Sequence, residues 1–396
     1  MIQISPETQL FIREHSSDNV RALALQAKKY PDIDMPTAIT QIAGRQVAAE
    51  KIPSWREMEE IWYPKHLSLE QCSSEITARY KARLSQGDSL TDLTGGFGID
   101  CSFLATGFKS ATYVERQEEL CEIAAHNFPI LHLNHINVRN EDGVAYLQTM
   151  SPVDCIFLDP ARRNEHGGKT VSIADCEPNV AELEDLLLSK ASRIMIKLSP
   201  MLDLSLALKE LKHTQEVHIL SVNNECKELL ILLGQTSPAE ITIHCVNLFT
   251  KGTQEEQHFV FTREQEQRSQ CTYTDSLGDY LYEPNASLLK AGAFRSIAAA
   301  YPVRKLHPNS HLYTSDSFIE NFPGRIFRIV NQCSFNKKEV KENLADLKKA
   351  NVTVRNFPAT VAELRKRLHL TEGGDTYLFA STLNNGQKVI IRCEKV

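Results

Sequence analysis

The stretch that decides the fold is Leu90-Thr91-Asp92-Leu93-Thr94-Gly95-Gly96-Phe97-Gly98-Ile99-Asp100. It reads as an apolar strand end, a glycine turn and the start of a helix. Glycines let backbone N–H groups approach a ligand that a Cβ would hold away. The next apolar run, Ala111-Thr112-Tyr113-Val114, closes on Glu115 and Arg116. A glycine loop after one strand and an acid after the next place a nucleotide site on a doubly wound α/β sheet. A dinucleotide fingerprint needs a third glycine for close helix–strand packing, and Cys101 stands there instead. That disfavours a nicotinamide dehydrogenase.

The 396 residues allow two or three domains. No run approaches the roughly 20 apolar residues needed to span a bilayer, and the first residues lack the basic and apolar segments of a signal peptide. The expectation is a cytoplasmic protein with no membrane partner. Ten cysteines are scattered singly, with no C-x-x-C pair, so neither a disulfide framework nor a metal site is expected. The net charge is −6, but residues 301–396 hold 16 Lys and Arg against 9 Asp and Glu. A basic tail on an acidic body suits docking to a polyanion, or is offset by local pairing.

Four segments are expected: 1–85 helical, 86–235 an alternating strand–helix core, 236–323 a connecting α+β (ferredoxin-like) region, and 324–396 a small α+β domain. In the first, Asp34 can cap a helix carrying Pro36, and Ser68-x-x-Gln71 predicts a capping box. In the second, strands fit at 89–93, 111–115, 134–138, 153–158, 192–198, 216–222 and 228–233, with helices at 117–127, 180–190 and 203–212. The last two strands lie too close for a crossover and predict an antiparallel pair. Beyond 236 come strands at 241–249 and 257–262, a helical stretch over 286–300, and a β-α-β-α-β-β order to the end.

Ligands in such sheets bind outside the carboxyl ends of the strands. The third strand is followed by Asp142-Gly143, an adenine-side acid or an ordinary turn. The fourth ends in Asp159-Pro160-Ala161-Arg162-Arg163, and the fifth in Lys197-Leu198-Ser199-Pro200. Lys197 either meets a phosphate or snorkels to water.

The run Asp92-x-Thr94-x-Gly96-x-Gly98 resembles motif I of class I S-adenosylmethionine-dependent methyltransferases, with Thr94 in place of the first glycine. Asp159-Pro160 resembles motif IV of the amino-methyltransferases, whose usual Pro-aromatic pair is here Ala161-Arg162. Residues 71–75 weakly resemble the motif X helix start. With Tyr282-Glu283-Pro284-Asn285-Ala286 and the tail Gly373-Gly374-Asp375-Thr376-Tyr377-Leu378-Phe379-Ala380, most of 70–396 is similar to a bacterial RNA methyltransferase family with a THUMP-like C-terminal domain.

The resemblance implies a Rossmann-like seven-stranded sheet of order 3-2-1-4-5-7-6, flanked by an N-terminal helical region and a C-terminal α+β domain. It implies S-adenosylmethionine held by Asp92, Thr94, Gly96, Phe97, Gly98, Asp100, Glu115, Arg116, Asp142 and Gly143. It assigns catalysis to Asp159, Pro160 and Arg162, and substrate contact to Arg163, Lys197 and Ser199. Arg162 stacks on a base, touches a phosphate, or pairs with Asp159. The implied reaction is methyl transfer to a nucleobase amine of structured RNA, transfer or ribosomal. The rival readings are a non-catalytic protein binding cofactor and RNA, and a methyltransferase of DNA or protein. C5 chemistry would need a cysteine in the cleft, and Cys155 lies inside its strand.

Overall fold

In the computed structural model, which describes residues 4–162 and 172–396, the chain divides into two compact units. The first comprises Met1–Gln215 and Leu230–Pro238, the second Glu216–Leu229 and Ala239–Val396.

The first unit carries strands β1 (Gly87–Asp92), β2 (Phe108–Glu115), β3 (Ile136–Asn140) and β4 (Val153–Leu158). These are followed by the two-residue β5 (Ala161–Arg162) and β6 (Cys176–Glu177), then β7 (Ala191–Leu198). β1 pairs in parallel with β2 on one side and β4 on the other. β2 continues to β3, and β4 to β7. The order β3-β2-β1-β4-β7 is the 3-2-1-4-5 that the methyltransferase resemblance implies. The chain reverses direction across the sheet at β1, so the switch point lies between the carboxyl ends of β1 and β4. The runs Cys155-Ile156-Phe157-Leu158 and Ile194-Met195-Ile196 are buried throughout, as strands covered on both faces must be. Leu90, Leu104, Phe108, Tyr113, Phe128 and Phe157 form one core cluster. Among the described residues, β5 and β6 pair only with each other.

The N-terminal helices pack onto this sheet unit through a second cluster that joins Ile52, Trp55, Tyr63, Phe97 and Ile123. Asp34 caps helix Met35–Lys51 as expected, accepting the Thr37 N–H. The capping box at Ser68 does not form, because Ser68 lies inside helix His66–Gln71. Cys72 turns extended, and the next helix, Glu75–Ala82, starts after Ser74. The break lets the Ser73 hydroxyl turn inward to the buried Asp100. Two side-chain amides strap the extended segment at Trp62 and Tyr63 to its neighbours. Gln41 accepts the Tyr63 N–H and donates to its carbonyl, both at 2.9 Å. Asn127 does the same for Trp62, also at 2.9 Å.

β8 (Thr214–Val222) and β9 (Glu225–Gly234), whose residues are divided between the two units, neighbour each other across Asn223 and Asn224. Both asparagines have positive φ, 50° and 68°, as a two-residue hairpin turn requires. β8 pairs in parallel with β10 (Thr242–Leu248), and β10 antiparallel with β11 (Glu256–Thr262).

A separate sheet of order β13-β14-β12-β15-β18-β17-β16 follows. It is built from β12 (Tyr280–Pro284), β13 (Arg304–Lys305), β14 (Tyr313–Ser315), β15 (Gly324–Ser334), β16 (Asn351–Val354), β17 (Thr376–Thr382) and β18 (Lys388–Lys395). Leu281, Phe327, Phe379 and Ile391 form its core. The helical stretch expected over 286–300 is two helices, Ala286–Ala291 and Ser296–Ala300, because Gly292 turns left-handed at φ 76°. Among the described residues, no helix is long and apolar enough to cross a membrane.

Gln41→Ala would leave the buried Tyr63 N–H and carbonyl without that partner, at about 1–3 kcal/mol per unmet group. The denaturant midpoint should fall by the equivalent of about 2–6 kcal/mol. A midpoint matching wild type would show that the strap contributes nothing.

Candidate functional site

The glycine loop sits at the carboxyl end of β1. Gly96 and Gly98 have φ of 54° and 86°, a region that side chains rarely adopt. A Cβ on Gly96 would find only Thr94 O within reach, at 3.8 Å, so the loop presents an open backbone face there. Glu115 holds the loop from the end of β2: one carboxylate oxygen accepts the Gly96 N–H at 2.9 Å and the other the Gln117 N–H at 2.9 Å. The Tyr113 hydroxyl donates to Gly96 O. Phe97 turns away from the loop face and is buried against Trp55, with ring centroids 5.2 Å apart, so it meets a ligand at this loop only through its backbone.

Thr94 explains its own departure from the glycine pattern. Its N–H donates to Asp92 Oδ1 at 3.0 Å, and its hydroxyl accepts the Asp159 N–H at 2.6 Å. One side chain thus ties the loop after β1 to the loop after β4.

Behind these loops lies a buried ionic knot. Ser73 Oγ donates to Asp100 Oδ2 at 2.7 Å and accepts from Lys81 Nζ at 2.9 Å and Lys197 Nζ at 3.0 Å. That fills the one donor and two acceptor positions of a hydroxyl. Lys81 Nζ lies 2.9 Å from Asp100 Oδ1, and Lys197 Nζ lies 2.6 Å from Asp159 Oδ2. Lys81 is fully buried. Lys197 neither snorkels to water nor stands open to a phosphate, because it is buried between Asp100 and Asp159.

Burial disfavours the charge on Asp100, yet Lys81 and Lys197 hold its carboxyl below the ordinary range. Burial raises the Asp159 carboxyl, against the pull of Lys197. The fully enclosed Asp92 is pushed well above the ordinary value, mainly by burial. The Thr94 N–H opposes that rise, and the charges of Asp100, Asp159 and Glu115 add to it. Asp92 Oδ2 has no hydrogen-bond partner among the described residues.

The other expected residues lie as follows. Asp142 caps helix Gly143–Thr149, accepting the Val144 and Ala145 N–H groups at 3.0 Å. A Cβ on Gly143 would come within 2.1 Å of Leu93 O, so this turn must be glycine to lie against the end of β1. Arg116 pairs at the surface with Glu177 at 3.3 Å. Ser199 Oγ accepts the Met201 N–H. Arg162 lies in β5 opposite Cys176; Arg163 and the Gly167-Gly168-Lys169 run fall outside the described residues. Cys155 is buried, and its thiol is pushed up to about 11, the opposite of what a nucleophile needs.

The fit to S-adenosylmethionine rests on three features: an open glycine face, a buried carboxylate oxygen with an unmet acceptor, and an excess of carboxylates over ammonium groups. Among the described residues, Asp100 and Asp159 pair with Lys81 and Lys197, while Asp92 and Glu115 lie near them with no ammonium partner, a field that favours a ligand carrying a sulfonium and an ammonium. Glu115 keeps lone pairs for a ribose diol beyond the two backbone donors it holds.

A ferredoxin-like domain family matches residues 280–323, and a THUMP domain-like family matches 324–395. A protein of Porphyromonas gingivalis W83, provisionally named a methyltransferase, has a crystal structure similar over 100% of both chains, at 34% identity and TM-score 0.87. An rRNA methylase from Streptococcus thermophilus is 13% identical, covering 40% of this chain and 93% of its own, at TM-score 0.30. TrmK of M. capricolum with S-adenosyl-homocysteine is 13% identical, covering 41% and 68%, at TM-score 0.32. Scores that low carry no structural conclusion. No curated protein matches.

Asp92 makes stability depend on pH with a defined sign. In the unfolded chain it ionises near 3.8, and in the folded chain only well above that value. Its contribution is therefore fully present below the ordinary aspartate range and is lost as pH rises through the raised value. Asp92→Asn should remove this loss, so denaturant midpoints of variant and wild type should diverge in the variant's favour as pH rises. Parallel curves would show that Asp92 ionises normally.

Proposed function

This chain belongs to the bacterial methyltransferase family that joins a Rossmann-like core to a THUMP-like C-terminal domain, and on that premise we propose that it transfers a methyl group from S-adenosylmethionine to a nucleobase amine in structured RNA. The observation that carries the reading is the 2.6 Å bond from the Asp159 N–H to Thr94 Oγ1. It holds the amine-orienting loop against the cofactor loop at the switch point between β1 and β4.

When bound, the cofactor supplies an electrophilic methyl group. Glu115 would hold its ribose, the Gly96–Gly98 backbone its methionine part, and Asp92 Oδ2 would accept from its ammonium. Asp159 Oδ1, the oxygen not taken by Lys197, and the Pro160 carbonyl accept the two N–H bonds of the substrate amine. This draws the nitrogen lone pair out of conjugation and aims it. Asp159 takes the proton that the amine gives up on methylation. Lys197 acts through Asp159, fixing its carboxylate and opposing the rise that burial imposes. Arg162 and Arg163 follow this loop in sequence and Ser199 follows the end of β7; Arg162 is assigned to catalysis, and Arg163 and Ser199 to substrate.

The THUMP-like domain supports an RNA substrate. On the basic tail, Arg365 pairs with Glu372 and Arg367 lies 4.2 Å over Phe335. Lys348, Lys349 and Lys366 are exposed and are the better candidates for phosphate contact. Neutralising these three should weaken RNA binding and lower its salt slope by about 2. An unchanged slope would remove the tail from the docking surface.

The decisive experiment is transfer of labelled methyl to RNA, DNA and protein from cells lacking this protein. Asp159→Ala should bind cofactor normally and lose about 100-fold or more in rate. Glu115→Ala should weaken cofactor binding about tenfold or more. Equal binding losses in both variants would sink the division of roles. Label in DNA or protein would redirect the substrate. Cofactor binding without transfer would favour the non-catalytic reading, for which Ala161-Arg162 in place of Pro-aromatic is the specific feature.

A further inference from the structure

Glu216 and His218 on β8, His244 on β10 and His258 on β11 all lie in the second unit. His218 stands directly opposite His244. His244 is opposite Val260, and His258 is opposite Val246, two residues further along β10. Side chains alternate between faces along a strand, so all four project from the same face. Residues i and i+2 of one strand, with the residue opposite on the next, present three ligand atoms to one point above a sheet. Among the described residues, Glu216, His218 and His244 are the one such group whose ligand atoms all lie within 4.8 Å of one another.

The distances are already those of a partly assembled site. His218 Nε2 lies 3.2 Å from Glu216 Oε2, and His244 Nδ1 lies 3.1 Å from His258 Nε2. The His218 and His244 rings stack 4.3 Å apart at 8°. Lone pairs in parallel ring planes do not converge, so one ring must turn. His218 is buried and fixed, whereas His244 is partly exposed and His258 exposed. The rigid half of the site is therefore Glu216 with His218, and the adjustable half is His244 with His258.

We propose that Glu216, His218, His244 and His258 form a binding site for a divalent metal of the zinc class. Three imidazoles and one carboxylate match the donors and coordination number of Zn²⁺ and disfavour Mg²⁺ and Ca²⁺, which take oxygen ligands. With all four positions filled by protein, the site is structural. Its ligands come from three strands, and the outermost of these is β11. A metal there adds a further hold on an edge strand that its ladder, the buried Phe261 and the Gln257 amide already anchor.

The test uses the untagged, chelator-treated full-length protein titrated with Co²⁺ alone and then with Zn²⁺. The expected result is one equivalent of Co²⁺ with the visible absorption of a four-coordinate site and no thiolate charge-transfer band. Zn²⁺ should displace it and raise the melting temperature. His244→Gln, at a partly exposed position, and His258→Gln, at an exposed one, should each weaken binding about tenfold or more and abolish the thermal shift. Four results would each overturn the proposal: no binding at micromolar metal, a thiolate band from the cysteines, a six-coordinate spectrum, or unchanged affinity in both variants.

Discussion

The first unit depends on the hydroxyl of Ser73. It is one oxygen between two ammonium groups and a carboxylate, all withdrawn from water. Taking these charges out of water is costly, and breaking such a set by removing one partner costs about 3–5 kcal/mol. The geometry answers that cost by filling every position of the hydroxyl. The knot joins helix Glu75–Ala82, the helix that starts at Ile99, and the end of β7. Through Lys197 it reaches Asp159 after β4. The N-terminal helices are thus a wall of the site, since Ser73 and Lys81 set the partner of the residue assigned to catalysis.

The other constraints are arranged around that knot. Thr94 ties the first and fourth strand loops together, Glu115 ties the second strand to the glycine turn, and Phe97 anchors the turn in the helical layer. Gln41 and Asn127 hold the segment at 62–63 by copying the hydrogen bonds of a neighbouring strand. In the second unit, Glu283 is buried between Arg325 and Arg355, and Asn285 caps helix Ala286–Ala291. The quoted run from Tyr282 to Ala286 therefore carries a buried ion pair and a helix cap, enough to explain those residue types without a ligand.

Much of the site was legible because its signals are local. The glycine turn, Glu115 at the end of β2 and Asp159 at the end of β4 each sit within a few residues of a strand terminus, and strand termini follow from apolar runs. The helix cap at Asp34 was equally readable. The errors were also local in origin. Ser68 and Gln71 have the right spacing for a cap, but the chain breaks later, where Ser73 gains three polar partners. The stretch 286–300 has helical composition, but Gly292 ends the first helix.

By itself, the sequence determined the alternation of strands and helices, the open backbone of the glycine loop and the acids at the strand ends. These follow from propensities and periodicities acting over a few residues. Only the tertiary structure decided that Lys197 would meet Ser73 across 124 positions of chain, that Lys81 would be buried, and that histidines from three strands would stack. A lysine in a helix and three separate histidines carry no mark of their eventual partners. Those pairings depend on which strands become neighbours and in what register, which the chain settles only when the whole sheet closes.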